Sequence, residues 1–383
     1  ISITAWMLKP MPRVLFVLPS FAIGGAETKI RNLLMSLAPF EKILLTNKAV
    51  SGLCSDLEMP VYYFDDYMSV SADILSPKNI WAYAKAIREV AKSEIPDIIL
   101  GVMHSGGLFV TVAHDIFFMN AHPVITIEGN ITGYFESIGR RPSRKEILIL
   151  RYCFKRARGI IVPSEGVGED LIANYGANHE KVQTIYNGID IERVRALSEE
   201  EIPYNKACPW IVTACRLSRG KDFPTLLRAF KIVRDTIDAK LFIVGDGELS
   251  EEIRRLTLEL KLNEDVVMTG FERNPFKFIS KGDVFVLSSL HEGFGNVIIE
   301  AMALGVPVVC TDCPSGPREI IKNGSSGILV PIGDVQRLSD ACLSILKYRD
   351  LKERLKYGGL ERAEDFSFLK MSRQYSDYLM SVL

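Results

Sequence analysis

The chain has almost no net charge: 46 Lys and Arg stand against 47 Asp and Glu, a formal charge of -1 over 383 residues. Such a chain has no global field to draw in nucleic acid, and any anion site must be local. Long apolar runs are also missing. The most apolar region, Leu108 to Met119, is broken by His114 and Asp115, which excludes a membrane-spanning helix. The opening ISITAWMLKP lacks the charged, apolar and cleavage segments of a secretion signal, and Ile1 is not expected to be the native start. The 7 cysteines have no regular spacing, and Cys310 and Cys313 have no second pair to complete a zinc site. Buried free thiols in a reducing cytoplasm are expected. No short repeat or low-complexity tract occurs.

A rhythm of short aliphatic runs, each followed by a longer segment of helical spacing, fills both halves. Val14 to Leu18, Ile43 to Thr46, Ile98 to Met103, Val124 to Ile127 and Gly159 to Val162 read as strands of the first half. Trp210 to Ala214, Leu241 to Val244, Val266 to Thr269, Val284 to Leu287, Val306 to Cys310 and Gly327 to Val330 read as strands of the second. Such runs are those of parallel strands buried on both faces. The expected fold is α/β with two Rossmann-like, doubly wound parallel-sheet domains facing a central cleft. The polar stretch from Ile191 to Pro209 reads as the linker. Domains are expected over 11–198 and 199–365. Ligands of doubly wound sheets sit beyond the strand C-termini, so the loops there are the places to examine.

Three loops carry candidate chemistry. Pro19 to Glu27 holds Gly24 and Gly25 between a strand and a helix, where free amides favour a phosphate or hydroxyl-rich group. It is not a G-x-G-x-x-G dinucleotide fingerprint, which argues against an oxidoreductase. In the second loop Arg216 and Lys221 stand five residues apart, so both heads can turn to one diphosphate. In the third, Glu292 and Glu300 flank Gly293-Phe294-Gly295-Asn296-Val297 at a helix start. The two carboxylates can accept hydrogen bonds from vicinal diols while the helix amides meet phosphate. Singly, each loop is equally a tight turn, a solvated basic loop or a helix-dipole carboxylate.

Taken together, Glu292-GFGNVII-Glu300 followed by AMALGVPVV and TDCPSGPREII resembles the signature of glycosyltransferase family 4, in its bacterial polysaccharide and glycan assembly members. The GGAE loop, VPSEGVGEDL, YNGID, ACRLSRGKDF, VGDGEL and GILVP occur in the family's order. The resemblance implies a GT-B fold and retaining, metal-independent hexosyl transfer without a cofactor. The donor would be a nucleotide sugar, with TDCPSGPREII resembling members that use UDP-sugars, and the acceptor a saccharide or lipid-linked glycan. By the same resemblance Arg216 and Lys221 clamp the donor diphosphate, and Glu292 meets the transferred sugar. Glu300 holds the ribose, the amides from Phe294 to Val297 meet phosphate and sugar, and Gly24 and Gly25 approach donor and acceptor. Gly245, Gly247 and Gly270 line the nucleotide pocket, and the last helix, 366–383, crosses back to the first domain. Where many relatives carry a His, this chain has Glu128-Gly129-Asn130. Glu128 or Asn130 is therefore expected on the acceptor side. The alternatives of the same fold are a sugar-nucleotide epimerase and a non-catalytic sugar-nucleotide-binding subunit.

Residues 140–158 hold eight basic residues and one acid. Two readings are open. A helix there could lie on anionic lipid, at about 1 kcal/mol per basic residue, placing the protein on the inner face of the cell membrane. Or it is a core helix with a solvated basic face, Ile147 to Leu150 packing inward.

Overall fold

The structure is a computed structural model that describes residues 11–19, 25–48, 57–69 and 76–383. The first sheet comprises β1 (Arg13–Leu18), β2 (Glu41–Thr46), β3 (Val61–Tyr63), β4 (Ile98–Val102), β5 (His122–Thr126), β6 (Gly159–Val162) and β7 (Val182–Thr184), in the order β3-β2-β1-β4-β5-β6-β7. The second comprises β8 (Trp210–Ala214), β9 (Lys240–Val244), β10 (Val266–Gly270), β11 (Val284–Leu287), β12 (Val308–Thr311) and β13 (Ile328–Val330), in the order β10-β9-β8-β11-β12-β13. Every pairing is parallel. In both sheets the order reverses direction beside the first strand, β1 or β8, which opens a crevice at the strand C-termini.

Continuous aliphatic strands form here because helices cover both faces. Alternate residues of β1 divide between two cores: Leu15 and Val17 face one, Val14, Phe16 and Leu18 the other. Trp210 and Val212 of β8 likewise face one core and Ile211 the opposite one. All eleven runs read from the sequence are strands. The two that were not foreseen, β3 and β7, are three-residue edges with half-buried or exposed side chains, too short and too polar to show a periodicity.

The chain passes between the domains earlier than the sequence indicated. Helix Ile191–Leu197, assigned to the first domain within 11–198, packs Ile191 and Val194 into the core of the second beside Trp210 and Phe285. Its apolar face, rather than the polar linker after it, decides its allegiance. At the crossing, Ile189 donates to the Phe366 carbonyl at 2.9 Å and Phe368 returns a bond to Ile189 at 3.0 Å. A Cβ on Gly188 would stand 2.5 Å from the Ser367 carbonyl oxygen, so the close approach of the two strands needs glycine. The terminal helix Phe368–Val382 then buries Met371, Tyr375, Leu379 and Val382 against Phe16, Leu33 and Leu100 of the first domain.

Candidate active site

The centre of the site is built where β8 and β11 end. The loop after β8 leads to helix Phe223–Thr236, and the loop after β11 to helix Asn296–Ala303. The two loops are laced together: Leu290 donates to the Gly220 carbonyl at 2.8 Å and Ser288 Oγ to the Lys221 carbonyl at 2.7 Å. This lacing delivers Lys221 Nζ to within 2.5 Å of Glu292 Oε1, and Ser289 Oγ donates to that same oxygen at 2.6 Å. Burial lowers the affinity of the Lys221 amine for its proton, but the charge of Glu292 outweighs it and the pKa is raised. The ion pair is thus held charged at the floor of the cleft.

Arg216 takes another course. It is exposed and meets Glu248 at 3.7 Å, while Lys221 turns inward. The expected convergence of the two cations is not formed; each reaches the nearest carboxylate of its own chain. An exposed ion pair of this kind holds its arginine only weakly.

Glu300 lies one helical turn inside Asn296–Ala303. Among the described residues its carboxylate has no hydrogen bond or ion pair, and burial pushes it up to about 7. Gly295, with φ 100°, precedes this helix and contributes no side-chain cap. Ile298 donates to the Gly295 carbonyl at 2.9 Å, and the amides ahead of it, those of Asn296 and Val297, suit another acceptor. Asn296 and Phe294 do structural work as well: Asn187 Nδ2 donates to Asn296 Oδ1 at 3.0 Å, and the Phe294 ring stacks on Tyr186 with centroids 5.5 Å apart. Val297 packs against the second core.

Two glycines of the nucleotide side, Gly245 and Gly247, are close-packed. A Cβ on Gly245 would come within 2.1 Å of the Cys215 carbonyl oxygen, and one on Gly247 within 2.4 Å of that of Leu217. They let the loop after β9 run directly beneath Arg216. Gly270, at φ +76°, faces open space and pairs with Gly245 through a 2.9 Å hydrogen bond.

The first domain closes the cleft from the opposite side. A Cβ on Gly293 would fall 2.1 Å from the Glu128 carbonyl oxygen, so the loop after β5 lies directly against the Glu292 loop. Ser164 Oγ donates to the Gly293 carbonyl at 2.7 Å, and Ser315 Oγ to that of Glu292 at 2.6 Å. Glu319 accepts from the amides of Glu165 and Gly166 at 2.7 and 3.1 Å, capping a first-domain helix from the second domain. None of Ser164, Ser289, Ser315 and Glu319 was singled out in the sequence; small hydroxyls in loops carry no signal there.

Glu128 and Asn130 are largely committed to the protein itself. Lys29 Nζ donates to both Glu128 oxygens at 3.0 and 2.9 Å, and Thr126 Oγ1 donates to Oε1 as well. Asn130 Oδ1 caps helix Ile131–Ser137 by accepting from Gly133 at 2.6 Å, and its Nδ2 reaches Ser315 Oγ at 3.5 Å. Their backbone edges the cleft while their side chains brace it. Gly25 opens helix Gly25–Ser36; Gly24 lies outside the described residues.

Two family models adjoin along the chain: Glycosyltransferase Family 4 matches residues 50–193 and Glycosyl transferases group 1 matches 196–362. The chain belongs to the glycosyltransferases these models describe. Among curated relatives, it is 33% identical over 232 residues to the N-acetylgalactosamine-N,N'-diacetylbacillosaminyl-diphospho-undecaprenol 4-alpha-N-acetylgalactosaminyltransferase of Campylobacter jejuni, covering 61% of this chain and 62% of that one. It is 30% identical over 208 residues to the lipopolysaccharide core biosynthesis glycosyltransferase LpsE of Rhizobium meliloti, covering 54% and 59%. These matches span less than two thirds of the relatives' lengths. The fold matches Anabaena Alr3699/HepE in complex with UDP, with a TM-score of 0.80 at 20% identity over 96% of this chain and 100% of that one. It also matches TarM, with a TM-score of 0.78 at 14% identity over 96% and 98%. The two-sheet architecture is that of the GT-B glycosyltransferases.

Proposed function

We propose that the protein is a retaining, metal-independent glycosyltransferase that moves a hexose or N-acetylhexosamine from a UDP-sugar to a saccharide or lipid-linked glycan acceptor. The observation that carries this reading is the grouping at the end of β11: a buried Lys221–Glu292 pair, an uncapped helix N-terminus and an unpartnered Glu300 one turn along. A nucleoside diphosphate sugar offers a complement to each. Its diphosphate suits the helix amides and Lys221, its ribose diol suits Glu300, and its sugar hydroxyls suit Glu292. The names of the relatives support a glycan acceptor.

In this reading the acceptor hydroxyl attacks the anomeric carbon on the face that the nucleotide leaves, and a donor phosphate oxygen takes its proton. The new C–O bond forms as the bond to the diphosphate breaks. Charge gathers on the leaving diphosphate, where Lys221, the helix amides and the exposed Arg216 stabilise it. Catalysis is then mainly orientation and electrostatics, without a protein nucleophile. Among the described residues no helix is long and apolar enough to cross a membrane, and access to a lipid-linked acceptor rests on the basic face of 140–158 meeting anionic lipid from the cytoplasmic side.

A thermal-shift panel of UDP- and GDP-sugars tests the donor. A ligand at a hundredfold over its Kd adds about 2.7 kcal/mol to stability, a plain rise in Tm. Silence from every nucleotide sugar overturns the reading. Conversion of the donor to an epimer without any acceptor would assign the fold's other chemistry instead.

A further inference from the structure

Away from the cleft, at the N-terminal ends of β5 and β6, the first domain carries a second concavity of about 410 Å³. Its walls include His114, His122, Arg156, Arg158 and Lys181, with Glu180 as the carboxylate among the lining side chains. Three basic side chains, Arg156, Arg158 and Lys181, thus share one open pocket. Arg156 and His114 are fixed there by Asp115, which accepts from Arg156 at 2.6 Å, contacts His114 Nδ1 at 3.1 Å and accepts from Tyr152 at 2.8 Å. Lys181 is pinned by donating to the Lys155 and Ala157 carbonyls, both at 2.9 Å. Arg158 is exposed, and among the described residues its guanidinium has no partner. Burial first, then the charges of Arg158 and Arg156, lower the pKa of Lys181, so the three basic groups lie close enough to feel one another.

On the connection between two of the lining residues, His114 and His122, the chain exposes apolar side chains. Phe118 follows helix Met103–Phe117 at φ 50° and is 89% exposed, and Ile116 beside it is 41% exposed. Helix Arg144–Arg156, whose last residue lines the pocket, packs Leu150, Cys153 and Phe154 inward and leaves Leu148 65% exposed. Exposed apolar side chains and arginines on the same elements are the composition of a membrane interface, where rings enter the headgroup layer and cations meet phosphate.

We propose that this pocket is a phosphate-binding site for the headgroup of an anionic phospholipid, with Phe118 entering the bilayer beside it. The inference rests on the membrane reading above and makes it specific. Arg158 contributes the bidentate contact to the phosphate, Arg156 and Lys181 supply fixed charge, and the helix Arg144–Arg156 brings the rest of its basic face to the surface. The cleft stays at the far end of the strands, open to the acceptor.

Co-sedimentation of the full chain with phosphatidylglycerol-containing vesicles and with pure phosphatidylcholine vesicles tests it. Arg158→Gln should weaken partitioning about fivefold, as expected for one basic contact at an anionic surface. Phe118→Asn, which suits the left-handed backbone at that position, should weaken it further. Neither should alter the Tm or the nucleotide-sugar shift. If the unchanged protein ignores anionic vesicles, the membrane reading itself falls. If it binds them and both variants bind equally well, the membrane reading stands and the pocket assignment is overturned. Competition by millimolar inorganic phosphate with no vesicle dependence would also overturn it, by making this a site for a soluble anion.

Discussion

Lys221 Nζ and Glu292 Oε1 lie 2.5 Å apart at the floor of the cleft, although 71 residues separate them in sequence. Two loops from neighbouring strands of one sheet meet there, and each supplies one charge. The pair holds the cation where a diphosphate would need it and stops the carboxylate from repelling that ligand. Lys221→Ala removes a transition-state donor and should lower kcat about a hundredfold or more. It also leaves Glu292 without its partner, so Tm should fall as well. Lys221→Arg keeps the charge but misplaces it, and should restore Tm more than kcat. Unchanged steady-state kinetics for Lys221→Ala would remove the pair from the mechanism.

Glu300 gives the protein a pH signature. An unfolded Glu ionises near 4.5, whereas burial pushes this carboxyl up to about 7. Between those values the folded chain holds a proton that the unfolded chain has released, so stability declines as pH rises. The contribution is complete below 4.5 and lost as pH passes 7. Glu300→Gln should flatten that slope in urea titrations at about pH 5 and about pH 8, and should be the more stable protein at the upper value. Its nucleotide-sugar affinity should nonetheless be lower, because the ionised carboxylate is the better acceptor for a diol. For the unchanged protein, donor affinity should increase through neutrality. Identical slopes in both proteins would show that Glu300 does not titrate there.

Much of this architecture could be read from residue order. Runs such as Trp210 to Ala214 must be buried on both faces, and their positions alone locate the loops that hold Lys221, Glu292 and Glu300. Pairings between side chains distant in sequence were not legible in the same way. Glu128 looked available to a ligand because it stands where many relatives carry a His; only the fold shows Lys29, from helix Gly25–Ser36, turned onto it. Arg216 and Lys221 looked equivalent because spacing reports reach and not direction. The helix Ile191–Leu197 was assigned by the polar residues that follow it, yet its own apolar side packs on the second core.

The contact between Gly293 and Glu128 makes the domain closure sensitive to one methyl group. A Cβ at Gly293 would stand 2.1 Å from a backbone oxygen that cannot turn away. Gly293→Ala should therefore hold the domains apart, with kcat/KM reduced about a hundredfold by misalignment on the order of 1 Å. Gly129→Ala is its control on the facing loop, since a Cβ there meets nothing within 4 Å. That variant should keep nearly full activity. Small-angle scattering should show a larger radius for Gly293→Ala alone; equal activity of the two variants would mean that closure does not limit turnover.

The last prediction concerns the brace behind that contact. Lys29 is fully buried and bonded to both oxygens of Glu128, and it also lies 5.3 Å from the ring centre of Tyr375 on the terminal helix. Burial would lower its pKa, but Glu128 and Tyr375 raise it to about 12, so the amine stays charged throughout the working range. Lys29→Met leaves a buried carboxylate unanswered, which typically costs about 3 to 5 kcal/mol. The double variant Lys29→Met/Glu128→Leu removes both charges and should recover most of that loss in urea unfolding. Activity separates the two roles open to Glu128. If its carboxylate only braces the loop, the double variant should regain kcat together with stability; if it meets sugar or acceptor, stability should return while kcat/KM for the acceptor stays low.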